Sequence, residues 1–184
     1  MQNYPNNLRR EKLFYTTFER MSNHIAYILT GSNEGNRYDH LKKALSFIEA
    51  TGSELLNVSP IYETAAWGPI RQTAFLNQVL VISTSLNPET LMLKLLDIEQ
   101  QMGRIREQKM GPRIIDIDIL FYDNIVYQTD DLIIPHPLLH ERRFVLFPLC
   151  QINADLFHPV LLKTVKTLLK ECKDTLEVKE WQIS

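Results

Sequence analysis

The stretch Gly111–Leu120, GPRIIDIDIL, places two carboxylates, Asp116 and Asp118, one residue apart in a run that is otherwise apolar. Side chains alternate along a strand, so both aspartates project from one face and Ile115, Ile117, Ile119 and Phe121 from the other. The two Cα atoms then lie roughly 6–7 Å apart, close enough for the carboxylates to converge on a hard cation. Mg²⁺ is typically held by one or two carboxylates and completed by substrate phosphates. From the strand pattern alone, a solvated edge or a pair of arginine-bound aspartates accounts for the residues equally well.

The neighbourhood favours the metal reading. Arg104, Arg106, Lys109 and Arg113 all precede Asp116 closely, and the guanidinium fork suits phosphate oxygens. Carboxylates for metal beside arginines for phosphate are what metal-assisted phosphoryl transfer requires. Further on, His136 is fixed between two prolines in IPHPLLHERRF, and Arg142 and Arg143 precede Phe144. The histidine is open to a phosphate contact or a structural turn, the phenylalanine to stacking on a flat ligand or to the core. GSNEGN, Gly31–Asn36, lacks the lysine of a phosphate-binding loop and reads first as a strand-to-helix turn. His140 and His158 carry no assignable signal.

These groups need a scaffold, and periodicity supplies one. His24–Thr30 reads as a buried strand that breaks at Gly31. Leu41, Ala44, Leu45 and Ile48 form a helical stripe that ends at Thr51-Gly52. Glu54–Glu63 and Phe75–Ser83 read as strands. Asn87-Pro88 opens a second helix with the stripe Leu91, Leu95, Ile98 and Met102, closed by Gly103. Ile114–Tyr122 is the aspartate strand. Ile125–Gln128 returns after a turn as its hairpin partner, and Val160–Leu169 makes a final helix. The order β-α-β-β-α-β predicts an α+β, ferredoxin-like core: an antiparallel sheet with two helices on one face, plus an added hairpin and a C-terminal helix. The other face is left free for a site. Residues 1–22, with a weak stripe of Phe14, Phe18 and Met21, read as an N-terminal extension, and Met21 is an alternative start. Residues 23–184 read as one catalytic domain.

The ordered motifs resemble 6-hydroxymethyl-7,8-dihydropterin pyrophosphokinases of folate biosynthesis. KMGPRIIDIDIL is similar to the family signature, and AYILTGSNEGNR, SPIYETAAWGP, FLNQVLVISTSLNPETLMLKLLDIEQQMGR and PHPLLHERRFVLFPL follow the family's order over about residues 24–170. The resemblance implies transfer of pyrophosphate from ATP to the pterin hydroxymethyl group, with AMP as co-product. Asp116 and Asp118 would hold two Mg²⁺ ions. Arg104 and Arg113 would be catalytic, and the Gly103–Pro112 loop would close as a lid. Thr64, Ala65, Trp67, Phe75, Asn77 and Phe144 would form the pterin site. Ile98, Glu99, Arg106, Arg113, His136 and Arg142 would face the nucleotide. Phe75, Met110, Ala65-Ala66, Asp131 and Ile133 depart from the best-known bacterial members.

Composition is compatible with this. A net charge of −2 and a pI near 6.2 argue against a general nucleic-acid binder. With 45% hydrophobic residues in 184 there is material for one core. No apolar run spans a bilayer and no signal-peptide core opens the chain, so a cytoplasmic monomer is expected, with ATP and the pterin as its partners. Cys150 and Cys172 are too far apart for a metal-ligand spacing. Three rivals remain: a non-catalytic metabolite sensor, an RNA-binding domain of the same topology, and a pyrophosphokinase or nucleotidyltransferase for another acceptor.

Overall fold

The computed structural model describes residues 23–67, 72–104 and 111–183. The N-terminal extension, Gly68-Pro69, Arg106, Lys109 and Met110 lie outside the described residues. In chain order the elements are β1 His24–Ser32, α1 Arg37–Ala50, β2 Glu54–Val58, β3 Tyr62–Thr64, β4 Phe75–Thr84 and α2 Pro88–Gln101. There follow β5 Asp116–Tyr122, β6 Tyr127–Gln128, β7 Ile133–Ile134, α3 Arg143–Asn153, β8 Phe157–His158, β9 Lys163–Thr164, α4 Val165–Glu171 and β10 Val178–Glu180.

Local chemistry explains the helix ends. The Asn36 side chain accepts a hydrogen bond from the Asp39 N–H to start α1, and Asn87 accepts from Thr90 N–H at 2.9 Å to start α2, with Pro88 in its first turn. Gly52 (φ +86°) and Gly103 (φ +91°) follow the two helix ends in the left-handed conformation that a side chain would resist.

Among the described residues six strands form one antiparallel sheet in the order β10-β3-β4-β1-β5, with β2 pairing with β4 beyond β3. Strand alternation divides the buried residues between two cores. Ala26, Ile28, Leu80, Ile82, Ile117 and Ile119 pack with Leu41 and Ile48 of α1 and with Leu91 and Leu95 of α2. Tyr27, Leu29, Val79 and Val81 pack on the other face with Val145, Leu146 and Leu149 of α3 and with Val165 and Leu168 of α4. The sheet is therefore covered on both sides, against the expectation of helices on one face only. The α3 segment was missed because Pro148, which sits inside the helix, reads as a breaker.

Four further expectations are corrected. Glu54–Glu63 is not one strand: Ser59 leaves the strand line to exchange bonds with Val79, donating its N–H at 2.9 Å and accepting the Val79 N–H at its Oγ at 3.0 Å, and Pro60 cannot donate to a ladder. The first strand runs on through Gly31 and Ser32, because Gly31 is paired on both sides, with Asn77 and with Asp116. Ile125–Gln128 does not return along the aspartate strand; Tyr127 and Gln128 pair instead with Ile134 and Ile133. The final helix begins only at Val165, since β8 and β9 form a hairpin within the segment assigned to its start.

Phe121 also departs from simple alternation. Tyr27 pairs with Phe121 and Ile28 with Ile119, so Leu120 is an extra residue, a β-bulge. Leu120 and Phe121 both face α3 and α4, while Tyr122 turns to the α1–α2 side, where its hydroxyl donates to Leu86 O at 2.7 Å.

Candidate functional site

A cavity of about 600 Å³ opens on the α3 side of the sheet, beyond the part that α3 covers. Its floor follows from register. Directly paired residues share a face, so Asn77 of β4, Gly31 of β1 and Asp116 of β5 form one row across three strands. In the next row, Leu29 lies beside Asp118. Two strand spacings separate Asn77 from Asp116, about 10 Å. The residue between them has no side chain: a Cβ on Gly31 would lie 2.8 Å from Asn77 Oδ1. The floor is thus flat between a neutral amide at one end and carboxylates at the other.

The carboxylate end is strongly charged. Asp116 sits between two guanidinium groups, its Oδ1 2.6 Å from Arg104 Nη1 and its Oδ2 2.6 Å from Arg113 Nη1. Arg104 also bonds Glu99, a buried carboxylate at the end of α2 that accepts the Ile117 N–H at 2.7 Å. Burial alone would lower the Arg104 pKa, but Asp116 and Glu99 outweigh it and hold the group more firmly charged. Asp118, by contrast, has no ion pair among the described residues. Burial, and next the charge of Asp116, push its carboxyl up to about 7, with Arg142 and Arg104 pulling the other way.

Arg142 spans the two ends. Its guanidinium carbon lies 5.0 Å from the Trp67 ring centre and 5.8 Å from that of Phe144, within cation–π range of both. Among the described residues its buried Nε–H has no hydrogen-bond partner. A buried, unpaired donor is costly, and here it belongs to a group lining an open cavity, where an anionic ligand can satisfy it. His136 lines the same wall. Its Nδ1 accepts the Leu138 N–H at 3.2 Å, which leaves Nε2 to carry the proton. Burial, and then Arg142, lower its pKa to about 4, so the ring is neutral near pH 7.

At the other end, Phe75, Phe144 and Trp67 give apolar walls, and the Asn77 side-chain N–H donates to Thr64 Oγ1 at 2.7 Å. That bond leaves amide capacity for a ligand edge. The cavity thus brings together Thr64, Ala65, Trp67, Phe75, Asn77, Glu99, Arg104, Arg113, Asp116, Asp118, His136, Arg142 and Phe144. It does not bring Ile98, whose side chain is 4% exposed in the core beneath α1 and α2; Leu96, two residues earlier on α2, lines the cavity instead. Arg106 lies outside the described residues.

Leu29, Gly31, Gln72, Leu96 and Ile117 also line the cavity and were not foreseen. Nor was Asn33, which explains how distant segments meet. Its Nδ2 donates to Gln72 Oε1 at 2.9 Å and to Thr73 O at 3.2 Å, and its Oδ1 accepts the Arg113 N–H at 2.8 Å. Thr73 Oγ1–H donates back to Asn33 O at 2.5 Å. The GSNEGN turn therefore ties the loop before β4 to the arginine before β5. An Asn in a turn with Gly on either side was the available signal, but its partners are far away in sequence.

The residues fit Mg²⁺ completed by a substrate. Two hard carboxylates face one cavity, one of them without a cation, and no cluster of three metal-ligating side chains exists among the described residues to form a closed site. Two neighbouring carboxylates plus an orphaned cationic donor suit a metal-bound polyphosphate.

Residues 27–154 match the family described as 7,8-dihydro-6-hydroxymethylpterin-pyrophosphokinase (HPPK). The 2-amino-4-hydroxy-6-hydroxymethyldihydropteridine pyrophosphokinase of Aquifex aeolicus is 41% identical over 145 residues, covering 79% of this chain and 90% of that protein. The enzyme of the same name from Bacillus subtilis is 44% identical over 131 residues, 71% of this chain and 78% of that one. Folic acid synthesis protein fol1 of Schizosaccharomyces pombe is 43% identical over 143 residues; they cover 77% of this chain but 20% of that much longer protein. Among solved structures, wild-type Plasmodium falciparum HPPK-DHPS with STZ-DHP superposes with a TM-score of 0.65 at 18% identity, over 82% of this chain and 43% of that chain. That likeness bears on the fold, whereas the relatives from Aquifex and Bacillus match in sequence over more than three quarters of their length. On these matches the chain belongs to the 7,8-dihydro-6-hydroxymethylpterin-pyrophosphokinase family.

Proposed function

We propose that this chain transfers the β,γ-pyrophosphoryl group of ATP to the hydroxymethyl oxygen of 6-hydroxymethyl-7,8-dihydropterin, in the synthesis of folate. The observation that supports the reading is one cavity with two chemically distinct ends about 10 Å apart: an aromatic slot with an amide at its edge, and a wall of paired carboxylates and guanidinium groups. A flat heterocycle and a polyphosphate each find one complementary end.

The pterin ring lies between Phe75 and Phe144, with Trp67 and Ala65 closing the slot and Asn77, held by Thr64, reading the ring edge. Its hydroxymethyl group then points along the floor over Gly31 toward Asp116. Bound Mg²⁺, taken as two ions held by Asp116 and Asp118, supplies charge neutralisation for the phosphates. Arg104, Arg113 and Arg142 donate to phosphate oxygens, with Glu99 keeping Arg104 in place and neutral His136 donating through Nε2–H. Arg106 is assigned to the nucleotide as well; Ile98, buried in the core, is not.

In the reaction the hydroxymethyl oxygen bonds to Pβ and the bond from Pβ to the oxygen bridging Pα breaks. AMP leaves with that oxygen, and the hydroxyl proton passes to solvent. Among the described residues no side chain is assigned as a dedicated base; alignment and charge stabilisation carry the rate. We take the unit to be a monomer, and we read β1-α1-β3-β4-α2-β5 as a ferredoxin-like core. No described helix is long and apolar enough to cross a membrane, and we assign the protein to the cytoplasm.

The test is product analysis with ATP, Mg²⁺ and the hydroxymethyl-dihydropterin. AMP and a diphosphorylated pterin in equal amounts are expected. ADP or free pyrophosphate as the nucleotide-derived product overturns the assignment.

A further inference from the structure

The turn between β1 and α1 holds a second connection that the reaction chemistry does not use. Arg37 is the first residue of α1. A cation there opposes the positive end of the helix dipole, so local helix formation gives no reason for it. Its tertiary contacts do. Arg37 Nη1 donates to Ala74 O at 2.8 Å and lies 2.7 Å from Glu63 Oε1. Glu63 immediately precedes Thr64, and Ala74 immediately precedes Phe75, and Thr64 and Phe75 are paired across β3 and β4. One guanidinium nitrogen therefore joins the two roots of the segment 65–73, which carries Ala65, Trp67 and Gln72 into the cavity.

We propose that Arg37 is a positioning residue for the pterin slot: it sets the spacing of the two roots and so the placement of Trp67 and Phe75 against Phe144. This rests on the pterin assignment above. Asn33 holds the same segment to Arg113 and the phosphate end, whereas among the described residues the Arg37 guanidinium bonds the two roots. Its effect is accordingly specific to the heterocycle. Side-chain exposures of 26% for Arg37 and 38% for Glu63 place the bridge near the surface, so its loss leaves the core intact. An isolated ion pair at that exposure contributes little to stability; here the carbonyl as third member makes it a structural bridge.

The test compares Arg37→Met, Arg37→Lys and Glu63→Gln with the unaltered protein in steady-state AMP formation and in thermal melting. Arg37→Met keeps the apolar stem and removes both donors. It is expected to raise KM for the pterin about tenfold, with KM for ATP within about twofold and melting temperature unchanged or slightly raised as the dipole clash is relieved. Arg37→Lys, which keeps a cationic donor, is expected to recover most of the pterin KM, and Glu63→Gln to fall between. An unchanged pterin KM in Arg37→Met, or equal rises in both KM values, overturns the inference while leaving the activity assigned. A wild-type protein that forms no AMP with the pterin sinks the activity and this inference with it.

Discussion

Replacing Asp118 by asparagine should make the metal-free protein more stable and nearly inactive. The native carboxyl holds its proton up to about 7, against 3.8 for an ordinary aspartate. Between those values the native state binds a proton that the unfolded chain does not, so stability falls as pH rises through the window and levels off above it. At 1.36 kcal/mol per pKa unit the full difference is roughly 4 kcal/mol. Asp116 shares the titration and the cavity is open to water, so about 2 kcal/mol is the working figure. For a chain of this size that is a rise in melting temperature of about 4–8 °C near pH 8. By pH 5 the gap should have shrunk to roughly two fifths, and it should close below pH 3.8, where the native and unfolded carboxyls both hold the proton. Added Mg²⁺ with a non-hydrolysable ATP analogue should raise the wild-type melting temperature and leave the variant almost unmoved. AMP formation should fall by at least about a hundredfold, on the scale of losing a charged group from a preorganised site. An asparagine variant that melts at or below wild type near pH 8 refutes the burial-and-repulsion argument. A stabilised variant with normal turnover refutes the metal role.

Substitutions at three other positions probe the cavity and its supports. Phe144→Ala should raise KM for the pterin about tenfold or more with little change for ATP, since it removes one stacking face; steady-state kinetics against each substrate separates the two. Asn33→Ala removes the side-chain partner of the Arg113 N–H and of Thr73 O, while the Thr73 hydroxyl keeps Asn33 O, and should cost about 2–3 kcal/mol in denaturant unfolding, with a fall in kcat because the Arg113 segment loses its anchor. His136→Gln keeps a neutral donor and should retain most activity, whereas His136→Ala should not; because the ring titrates near 4, the pH–rate profile should show no wild-type limb near 6.5 that disappears in His136→Gln.

Much of this was readable before any coordinates, for identifiable reasons. The α1 and α2 stripes and helix ends are local signals, and they came out with the Asn87 cap and the left-handed Gly52 and Gly103 in place, whereas the Asn36 cap of α1 was not foreseen. Asp116 and Asp118 share a face because alternation is a property of the strand alone. The failures are non-local. Ser59 breaks a strand-like run because it bonds Val79 across the sheet. Asn33 read as part of a strand-to-helix turn because its partners lie about 40 and about 80 residues on, and Arg37 drew no reading because Glu63 and Ala74 are likewise remote in sequence. Ile98 occupies the core while Leu96 reaches the cavity, a difference in helix orientation that the apolar stripe contained but that the resemblance did not respect.

The bulge at Leu120 shows how one strand serves both the core and the site. Without it, strict alternation from Asp118 would send Phe121 to the α1–α2 side and Tyr122 to the α3 side. With the extra residue, Leu120 and Phe121 both reach the core under α3 and α4, and Tyr122 reverses to anchor on Leu86. The α3 face of β5 is thus divided along its length: two carboxylates at the start, then two apolar side chains. A helix can cover the apolar half, and α3 does, its first turn carrying Arg142 and Phe144 to the border of the uncovered half. Covering the whole face would bury Asp116 and Asp118 without a ligand, at a cost no local ion pair could offset. The boundary between core and cavity is therefore set by where the carboxylates stop, and the elements that close the core are the same ones that bring an aromatic ring and a guanidinium to the cavity edge.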